Sequence, residues 1–499
     1  MSIICRFPPE PSASLHLGHL KAMMIDFEHN IDCKCILRMD DTNPNTEKQE
    51  YVDGIIDDVK WLGFNPYKIT YTSDYFNKLY EYAILLIKNN FAYVDLSNGE
   101  TISDMRHKGI ESEFRNKPIE WHLDNFEMMK NGSYKENEAV LRLKIDMNNP
   151  NHTLRDPIAY RILHTSHYRT GTEWKIYPSY DYSHGIVDAI ENITYSYCTM
   201  EFYVRRDQYY WPINRLNELG EKLEPATVRE FGRLSVENNY LSKRKIKELI
   251  NLGYIDNFDD PRLLTIKGLK ERGFTPELLK KIITENTGMS KTDTCLTEDL
   301  INHYIRSYYD DNALRVFGVI DPIKVTILSD NIIIPCKHPN HPTKDLGIHE
   351  TILTNNIIIE RDDFREKDDP SYYRLAPNKT IRLRYNDFFK YDSHDDKEIR
   401  VLPIIPENPK KIKGVIHWVS SEYSTKCIFE IYDTLLKDGK FNESSKKIYN
   451  GYIENFVMEK INENLPFQLE RVGFFKFYKF IDGNPVFRKI IGLVDKYRK

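Results

Sequence analysis

The spacing of hydrophobic residues predicts alternating strands and helices at the start of the chain. "SIICRF" at residues 2–7 and "CKCILRM" at 33–39 are short apolar runs typical of buried strands. A helix opened by a glycine is predicted to follow the first strand, and a second helix is predicted over "EKQEYVDGIIDDVKWLGF". Its apolar face comprises Val52, Ile55, Ile56, Val59 and Leu62, and Gly63 closes it. This order predicts a doubly wound parallel sheet, which binds ligands beyond the carboxyl ends of its strands.

The later pattern divides the chain further. A mixed, polar-rich stretch at 74–178 interrupts the alternation, and "YPSYDYSHGIVDAIENI" resumes it. Residues 240–314 are predicted to be rich in helices, and from about 315 the apolar period shortens to that of strands with short turns. We therefore expect a Rossmann-like catalytic domain (1–73 and 179–232), an inserted domain (74–178), a helical subdomain (233–314) and two all-β barrels (315–499).

Composition narrows the class of protein. Hydrophobic residues make up 40% of the 499 positions and charged residues 29%, as in ordinary globular proteins. No apolar run approaches a membrane span and the N-terminus lacks a signal-peptide core, so we predict a cytoplasmic protein. The seven scattered cysteines favour reduced thiols. A net charge of -5 argues against a nucleic-acid partner. The argument is weak, because a basic surface on one face of the protein would not show in the total charge.

The stretch "RFPPEPSASLHLGHLK" places His16 and His19 around Gly18, between the first predicted strand and its helix. The start of a helix offers free N–H groups and a positive dipole end, which suits phosphate. Two imidazoles there can donate hydrogen bonds to an α-phosphate under attack. A structural histidine pair is one alternative. A zinc site is another, although His-x-x-His without nearby cysteines is a poor one.

A second motif, "YLSKRKI" at 240–246, is predicted to put Ser242, Lys243 and Arg244 in a mobile loop before a helix. Such a loop can clamp a triphosphate and hold the departing pyrophosphate. The alternative is a solvated basic start of a helix. Together with His16 and His19, the motif predicts nucleotidyl transfer.

The motifs, taken in order, resemble class I aminoacyl-tRNA synthetases. "HLGH" is similar to the HIGH motif of that family, and "LSKRK" is similar to its KMSKS-type loop. Blocks such as "LRMDDTNP", "DVKWLGF", "RDPIAYRI", "DDPRLLT" and "KGVIHWVS" extend the resemblance to the glutaminyl/glutamyl subgroup over nearly the whole chain. It implies that ATP with Mg²⁺ activates an amino acid, which passes to the terminal adenosine of a tRNA. It also implies that 74–178 binds the acceptor end and that the barrels bind the anticodon.

The resemblance also implies roles for individual residues. Arg6, Asp40 and Tyr180 would bind the amino acid, with Asp40 pairing its α-ammonium group; capping the next helix is the alternative for Asp40. His16, His19 and Lys243 would be catalytic. The implied ATP site comprises Glu10, Pro11, Ser12, His16, Gly18, His19, Thr199, Arg233, Leu234, Leu241, Ser242 and Lys243.

Two positions bear on the amino acid. Cys198 stands where glutamyl members carry an arginine, and a neutral thiol cannot pair with a carboxylate, so we expect L-glutamine and tRNA(Gln) as substrates. The alternative for Cys198 is a packing role. Val228 stands where glutaminyl members usually have a glutamine and glutamyl members an aliphatic residue. A glutamyl or non-discriminating enzyme and a non-catalytic tRNA-binding paralogue therefore stay open.

The C-terminal part supplies candidates for tRNA contacts. Gln468 and Arg471 in "FQLER" are expected to contact anticodon bases, and Lys411 and Lys413 to face phosphates. His349 stands where bacterial glutaminyl members have an arginine.

We expect a monomer. We predict no metal site, because the cysteines and histidines of "CKHPNH" (Cys336, His338, His341) and "CKC" (Cys33, Cys35) fit no common zinc spacing.

Overall fold

The computed structural model describes residues 2–29, 32–463 and 465–494. Its first strands pair in parallel, in the order β1-β2-β3, with one helix in each connection. The second helix buries Val52, Ile55 and Val59 on the predicted face, and Gly63 ends it with a φ of +80°. The elements are β1 (Ile4–Phe7), α1 (Leu17–Glu28), β2 (Lys34–Met39), α2 (Gln49–Trp61) and β3 (Lys68–Tyr71).

Two helix starts differ from the sequence prediction. The first helix begins at Leu17 rather than at the glycine, because the side chain of His16 caps it. Helix α2 has Lys48 at its N-cap, so Asp40 does not cap it.

The stretch at 74–178 forms an antiparallel four-stranded sheet with three helices. After this inserted sheet, the chain returns to the first sheet. The Thr194 N–H donates to the carbonyl of Ile4, in β1, over 2.7 Å. This hydrogen bond brings β8 beside β1, and β9 pairs with β8 in parallel. The elements are α3 (Phe76–Lys88), β4 (Ala92–Asp95), α4 (Gly99–Lys108), α5 (Ile119–Asn131), β5 (Val140–Leu143), β6 (Ile158–Ile162), β7 (Ile176–Pro178), α6 (Tyr180–Ile190), β8 (Tyr195–Thr199), α7 (Arg206–Glu218) and β9 (Thr227–Phe231).

The helix-rich region packs directly against the first sheet. Leu20 and Met23 of α1 share one hydrophobic core with Leu279 and Ile282 of α10. Helix α8 begins at Lys243, so this lysine lies in the first turn rather than in the loop that the sequence predicts. The elements are β10 (Leu234–Val236), α8 (Lys243–Asn251), α9 (Ile266–Arg272), α10 (Pro276–Asn286), β11 (Thr294–Leu296) and α11 (Glu298–Asn312).

The described C-terminal part contains two seven-stranded sheets, with separate cores around Trp418 and Phe429, and two two-stranded sheets, β15-β16 and β24-β25. The first has the order β21-β18-β19-β20-β14-β17-β22, and the second has the order β12-β27-β28-β29-β23-β26-β13. The strands and helix are β12 (Leu314–Val316), β13 (Gly318–Val319), β14 (Pro322–Ile327), β15 (Ile333–Pro339), β16 (Ile348–Thr354), β17 (Asn356–Glu360), β18 (Thr380–Leu383), β19 (Phe388–His394), β20 (Glu398–Ile404), β21 (Val415–Ile416), β22 (Val419–Ser420), β23 (Ser424–Tyr432), β24 (Leu436–Lys437), β25 (Lys440–Phe441), β26 (Lys446–Glu454), α12 (Asn455–Glu459), β27 (Phe467–Leu469), β28 (Gly473–Ile481) and β29 (Asn484–Gly492).

Two expectations from the sequence concern the cysteines and membrane-spanning helices. All seven cysteines carry free thiols, in agreement with the sequence prediction. In the described part of the chain, no helix has both the length and the apolar character that crossing a bilayer requires.

Candidate active site

The two histidines of "HLGH" cap α1 in a reciprocal arrangement. His16 Nδ1 accepts the N–H of Gly18 over 3.1 Å, and His19 Nδ1 accepts the N–H of His16 over 3.1 Å. The two rings lie against each other with their centroids 3.9 Å apart. A Cβ on Gly18 would lie 2.9 Å from His16 Cε1, so a glycine is needed for the His16 ring to fold back onto the helix. The spacing of the motif thus follows from a local packing requirement.

This capping decides which nitrogen of each ring carries the proton. Because Nδ1 accepts a backbone N–H in both rings, the neutral form of each must be protonated at Nε2. Burial, followed by the neighbouring imidazole, lowers the pKa of His16 well below its usual value, and burial lowers the pKa of His19 to about 4. Near pH 7 both residues are therefore neutral rings with Nε2–H donors.

The two rings line a cavity of about 580 Å³ between α1, the end of β9 and the segment before α8. Several residues of the implied ATP site surround it, namely His16, Gly18, His19, Thr199, Arg233, Leu234, Leu241 and Ser242. The carbonyl of Leu234 lies 3.8 Å from the place that a Cβ on Gly18 would occupy, so two backbone segments come close together here. Glu201 is the carboxylate in this lining.

Lys21 is a residue of this cavity that the sequence analysis missed. Its buried Nζ donates to the Gly232 carbonyl over 2.6 Å, and the next peptide N–H, that of Arg233, donates to Asp293 over 2.8 Å. The Gly232–Arg233 segment is thus held from both sides. Lys21 follows the buried Leu17 by four residues, and this helical spacing is the signal that could have identified it.

A neighbouring cavity of about 490 Å³ brings together the implied amino-acid-binding residues. Arg6, Asp40, Tyr180 and Cys198 all line it, as do Glu10 and His19. It therefore adjoins the histidine pair on one side. Arg6 is buried, with its Nε 3.1 Å from Asp188 Oδ1 and its Nη1 donating to the Tyr197 carbonyl over 3.0 Å. Asp188 also pairs with Arg38.

Asp40 lies at the end of β2 and faces this second cavity. It accepts the Thr72 hydroxyl over 3.4 Å, and its own N–H donates to the Pro9 carbonyl over 3.0 Å. Burial raises the pKa of Asp40 to about 6, although Arg38 acts in the opposite direction. A carboxylate in such a position gains strongly from a cationic partner, because pairing restores the charged form.

A third pocket adjoins Arg6 and is lined by Cys198, Val228, Tyr180, His184, Ser196 and Tyr209, together with Arg205 and Arg206. Its three arginines are all paired: Arg6 contacts Asp188, Arg205 Nη1 lies 2.8 Å from Asp181 Oδ1, and Arg206 contacts Glu230. Burial raises the pKa of the Cys198 thiol to about 11, so the thiol stays neutral. The pocket thus favours an uncharged polar group over a carboxylate.

Four residues of the implied ATP site stand apart from the first cavity. Pro11 and Ser12 are buried in the loop after β1, where the Lys48 N–H donates to the Pro11 carbonyl over 3.2 Å. Glu10 lines the second cavity, and Lys243 Nζ lies 3.9 Å from Glu10 Oε1. Lys243 is thus directed toward a residue of the second cavity.

The C-terminal candidates occupy different environments. Arg471, in the left-handed region with a φ of +69°, forms two hydrogen bonds of 2.7 and 2.9 Å with the buried Asp363, which lies in a short 3-10 helix after β17. Gln468 is nearly buried, and among the residues that the structure describes its Oε1 has no hydrogen-bond partner. Lys411 and Lys413 are exposed.

Cys336 and His341 of "CKHPNH" have separate partners. Cys336 contacts Asn386, and His341 Nε2 bonds to the Asp310 carbonyl over 2.8 Å. His349 is buried, with Asn340 and Glu454 against its two nitrogens, and is not presented to a base.

Comparison with known proteins identifies the class of protein. Residues 2–308 match the family described as tRNA synthetases class I (E and Q), catalytic domain. Residues 313–404 and 415–478 match two anti-codon binding domains of the same synthetases. The chain therefore belongs to the class I (E and Q) tRNA synthetases, which confirms the resemblance seen in the sequence. It consists of a class I catalytic domain followed by β domains of the anticodon-binding type.

Particular relatives align over the whole chain. A glutamine–tRNA ligase of Ralstonia pickettii is 37% identical, with 100% of this chain and 93% of the relative covered. One of Nitrosomonas europaea is 38% identical, with 99% and 95% covered. The cytoplasmic glutamine–tRNA ligase of Arabidopsis thaliana is 37% identical, with 100% and 66% covered. A solved glutamate tRNA ligase of Elizabethkingia meningosepticum is a remote match, with 15% identity and a TM-score of 0.44, and the match covers 62% of this chain and 70% of that chain.

Proposed function

We propose that this protein acts as a glutamine–tRNA ligase, which activates L-glutamine with ATP and transfers it to the 3′-terminal adenosine of tRNA(Gln). The observation that carries the proposal is the pair of Nε2–H donors of His16 and His19, at the wall of a cavity next to the one that Asp40 and Arg6 line. Full-length similarity to glutamine–tRNA ligases supports it.

The first step joins glutamine to the α-phosphate of ATP. A carboxylate oxygen of glutamine attacks the α-phosphorus, the bond to the β-phosphate breaks, and pyrophosphate leaves. The Nε2–H groups of His16 and His19 donate to the α-phosphate oxygens as their negative charge grows. A preorganised donor of this kind contributes about 10²–10³-fold in rate. Lys243 stabilises the charge of the leaving pyrophosphate from the other side.

The second step moves the aminoacyl group. The 2′-hydroxyl of the terminal adenosine attacks the acyl carbon, and AMP leaves. Asp40, once paired with the α-ammonium group of glutamine, holds the substrate in the second cavity during both steps. Tyr180 and Arg6 complete the wall around it.

Mg²⁺ fits this site as part of the ATP substrate. It prefers phosphate oxygens with one or two carboxylates rather than an all-protein cage, and Glu201 is the carboxylate that lines the first cavity. When bound, it supplies positive charge to the phosphates. Lys243 and the two histidines act on the same phosphates from the protein side.

Glutamine is favoured over glutamate by charge. The Cys198 thiol is neutral, and each of the three arginines in this lining is already paired with a carboxylate. A substrate carboxylate would therefore find no unpaired cation in this lining. Burying an unpaired carboxylate is costly, whereas an amide needs only hydrogen bonds. Val228 in the same pocket is the observation that favours the second candidate, a glutamyl or non-discriminating enzyme.

The remaining assignments extend the same proposal. Residues 1–73 and 179–232 form the Rossmann-like domain, 74–178 the acceptor-binding domain and 233–314 the helical subdomain. Both C-terminal sheets of 315–499 close into barrels that bind the anticodon through Gln468, Arg471, Lys411 and Lys413. The protein works as a cytoplasmic monomer.

A charging assay tests the proposal. Purified protein is incubated with ATP, Mg²⁺ and tRNA(Gln) or tRNA(Glu), with either glutamine or glutamate. We expect charging of tRNA(Gln) with glutamine. Charging with glutamate only would replace the proposal by the glutamyl candidate. No charging with either, together with intact tRNA binding, would indicate a non-catalytic paralogue.

A further inference from the structure

We propose a zinc-binding site between the two C-terminal β domains, formed by His338, His349 and Glu454. One ligand atom from each residue lies within 4.8 Å of the others, and all three side chains are buried. The site lies outside the two cavities of the catalytic domain and is independent of the proposed function.

The fold brings these residues together across long sequence distances. His338 and His349 are directly opposite each other in the antiparallel pair β15 and β16, so their side chains share one face. Glu454 ends β26 of the second seven-stranded sheet. The nearest measured separations are 3.1 Å from His349 Nε2 to Glu454 Oε1 and 3.9 Å from His338 Nε2 to Glu454 Oε2. Ligand atoms around tetrahedral zinc lie about 3.4 Å apart for bonds of about 2.1 Å.

The hydrogen bonds around His349 direct a lone pair into the site. Asn340 Nδ2 donates to the Leu346 carbonyl over 2.8 Å, which orients the amide so that its Oδ1 faces His349. His349 Nδ1 therefore donates to Asn340 Oδ1 over 2.5 Å. In the neutral ring the other nitrogen, Nε2, then carries a lone pair that faces the carboxylate of Glu454. The nitrogen lone pair and the carboxylate oxygen repel each other at 3.1 Å unless a cation, either a metal ion or a proton, is bound there.

This arrangement has the support that zinc ligands usually have. A carbonyl oxygen on the far nitrogen of a histidine fixes the ring and its protonated form, as Asn340 does for His349. Glu454 is fixed by the Phe317 N–H at 2.6 Å and by the Thr351 hydroxyl. Phe456 stacks on His349 at 4.1 Å and Phe317 on His338 at 4.9 Å, which keeps both rings in place.

Three protein ligands leave one position for a water or for the hydroxyl of Thr351, whose Oγ1 lies 2.9 Å from His338 Nε2. Without the ion, His338 Nε2–H donates to this oxygen. With the ion, the proton of His338 moves to Nδ1 and Nε2 binds the metal. Bound zinc would link the β15–β16 hairpin to β26 and thereby hold the two β domains in one relative position.

Binding of Co²⁺, which replaces zinc in tetrahedral sites and absorbs visible light there, tests the proposal. Full-length protein is treated with a chelator, desalted and titrated with Co²⁺. We expect about one Co²⁺ per chain with the intense spectrum of a tetrahedral site, and its displacement by Zn²⁺. Zn²⁺ should also raise the Tm of the wild type.

The Glu454→Gln and His338→Gln variants should lose both the Co²⁺ spectrum and the Zn²⁺-dependent rise in Tm. The matched control is His394→Gln, a histidine of β19 that contacts Tyr391 and is no part of the cluster; it should behave like the wild type. Absence of a tetrahedral Co²⁺ spectrum in the wild type would overturn the proposal without any variant. So would an unchanged spectrum in both cluster variants, since residues outside the cluster would then bind the ion.

The protonation of His349 gives an independent reading in the wild type. Nitrogen NMR of the chelator-treated protein and of the Zn²⁺-loaded protein should differ at His349 Nε2, which becomes metal-bound. A doubly protonated His349 ring that Zn²⁺ leaves unchanged would mean that a proton, and not a metal, neutralises the contact with Glu454. That result would also refute the site.

Discussion

The ammonium group of Lys243 lies 3.9 Å from the carboxylate of Glu10, a residue that lines the second cavity of the catalytic domain. The first turn of α8 and the loop after β1 therefore meet beside the cavity that the amino acid is expected to occupy. Burial lowers the pKa of Lys243, and Glu10 acts in the opposite direction. An arriving triphosphate would compete with Glu10 for this cation.

Replacing Lys243 by alanine should slow adenylate formation about 10²–10³-fold, because charge on the leaving pyrophosphate loses its partner. The measurement is pyrophosphate exchange with saturating tRNA(Gln), alongside the Kd for tRNA. Lys247→Ala, one turn further along α8, is the control and should have little effect. Equal losses in exchange and in tRNA affinity would contradict a role at the phosphates.

His16→Asn should separate capping from catalysis. Asparagine is a good N-cap residue, so its side-chain oxygen can accept the Gly18 N–H in place of Nδ1. We expect Tm to change little while kcat/KM falls about 10²–10³-fold, because the Nε2–H donor is gone. His16→Ala should lose both. If His16→Asn kept full activity, the ring would serve the helix alone.

Acid should weaken glutamine binding through Asp40. Its pKa in the free protein is about 6, raised by burial, so the charged form that pairs with the α-ammonium group is lost as pH falls through 6. KM for glutamine should rise by up to about tenfold per pH unit below 6. Asp40→Asn should show a high KM without this slope. His16 and His19 stay neutral over the same range, since their pKa values lie lower.

Arg471→Ala should weaken cognate tRNA more than non-cognate tRNA. The guanidinium is already oriented by Asp363, and Arg374 Nη1 at 2.9 Å keeps a partner on that carboxylate after the change. Lys411→Ala and Lys413→Ala should instead weaken all tRNAs alike and reduce the salt dependence of log K by about one each. Filter binding at several salt concentrations distinguishes the two outcomes; a uniform loss in Arg471→Ala would indicate a backbone contact.

Lys21→Met should raise KM for ATP about tenfold while leaving the Kd for tRNA unchanged. The methionine keeps the buried aliphatic stem but releases the Gly232 carbonyl, so the backbone beside the first cavity loses one of its two restraints. ATP-dependent exchange kinetics measure the effect. An unchanged KM with a lower Tm would mean that Lys21 serves stability only.

Local patterns predicted the elements around the candidate site well. Helical spacing identified the buried face of α2, and strand-like runs identified β1 and β2, because these depend on neighbours within a few positions. The starts of α1 and α8 were misjudged by a residue or more. In α1 the reason is visible: the cap is supplied by a histidine, which sequence rules do not count as a capping residue.

The local sequence determined the arrangement of the histidine pair, because His16, Gly18 and His19 interact within one turn of a helix and need no distant partner. Tertiary structure alone decided the rest. It placed Lys21 against Gly232 and paired the three arginines of the pocket around Cys198 with carboxylates. It also joined His338 to His349 and Glu454 rather than to Cys336 and His341. Strand register and the packing of one domain on another set these contacts, and neither follows from spacing along the chain.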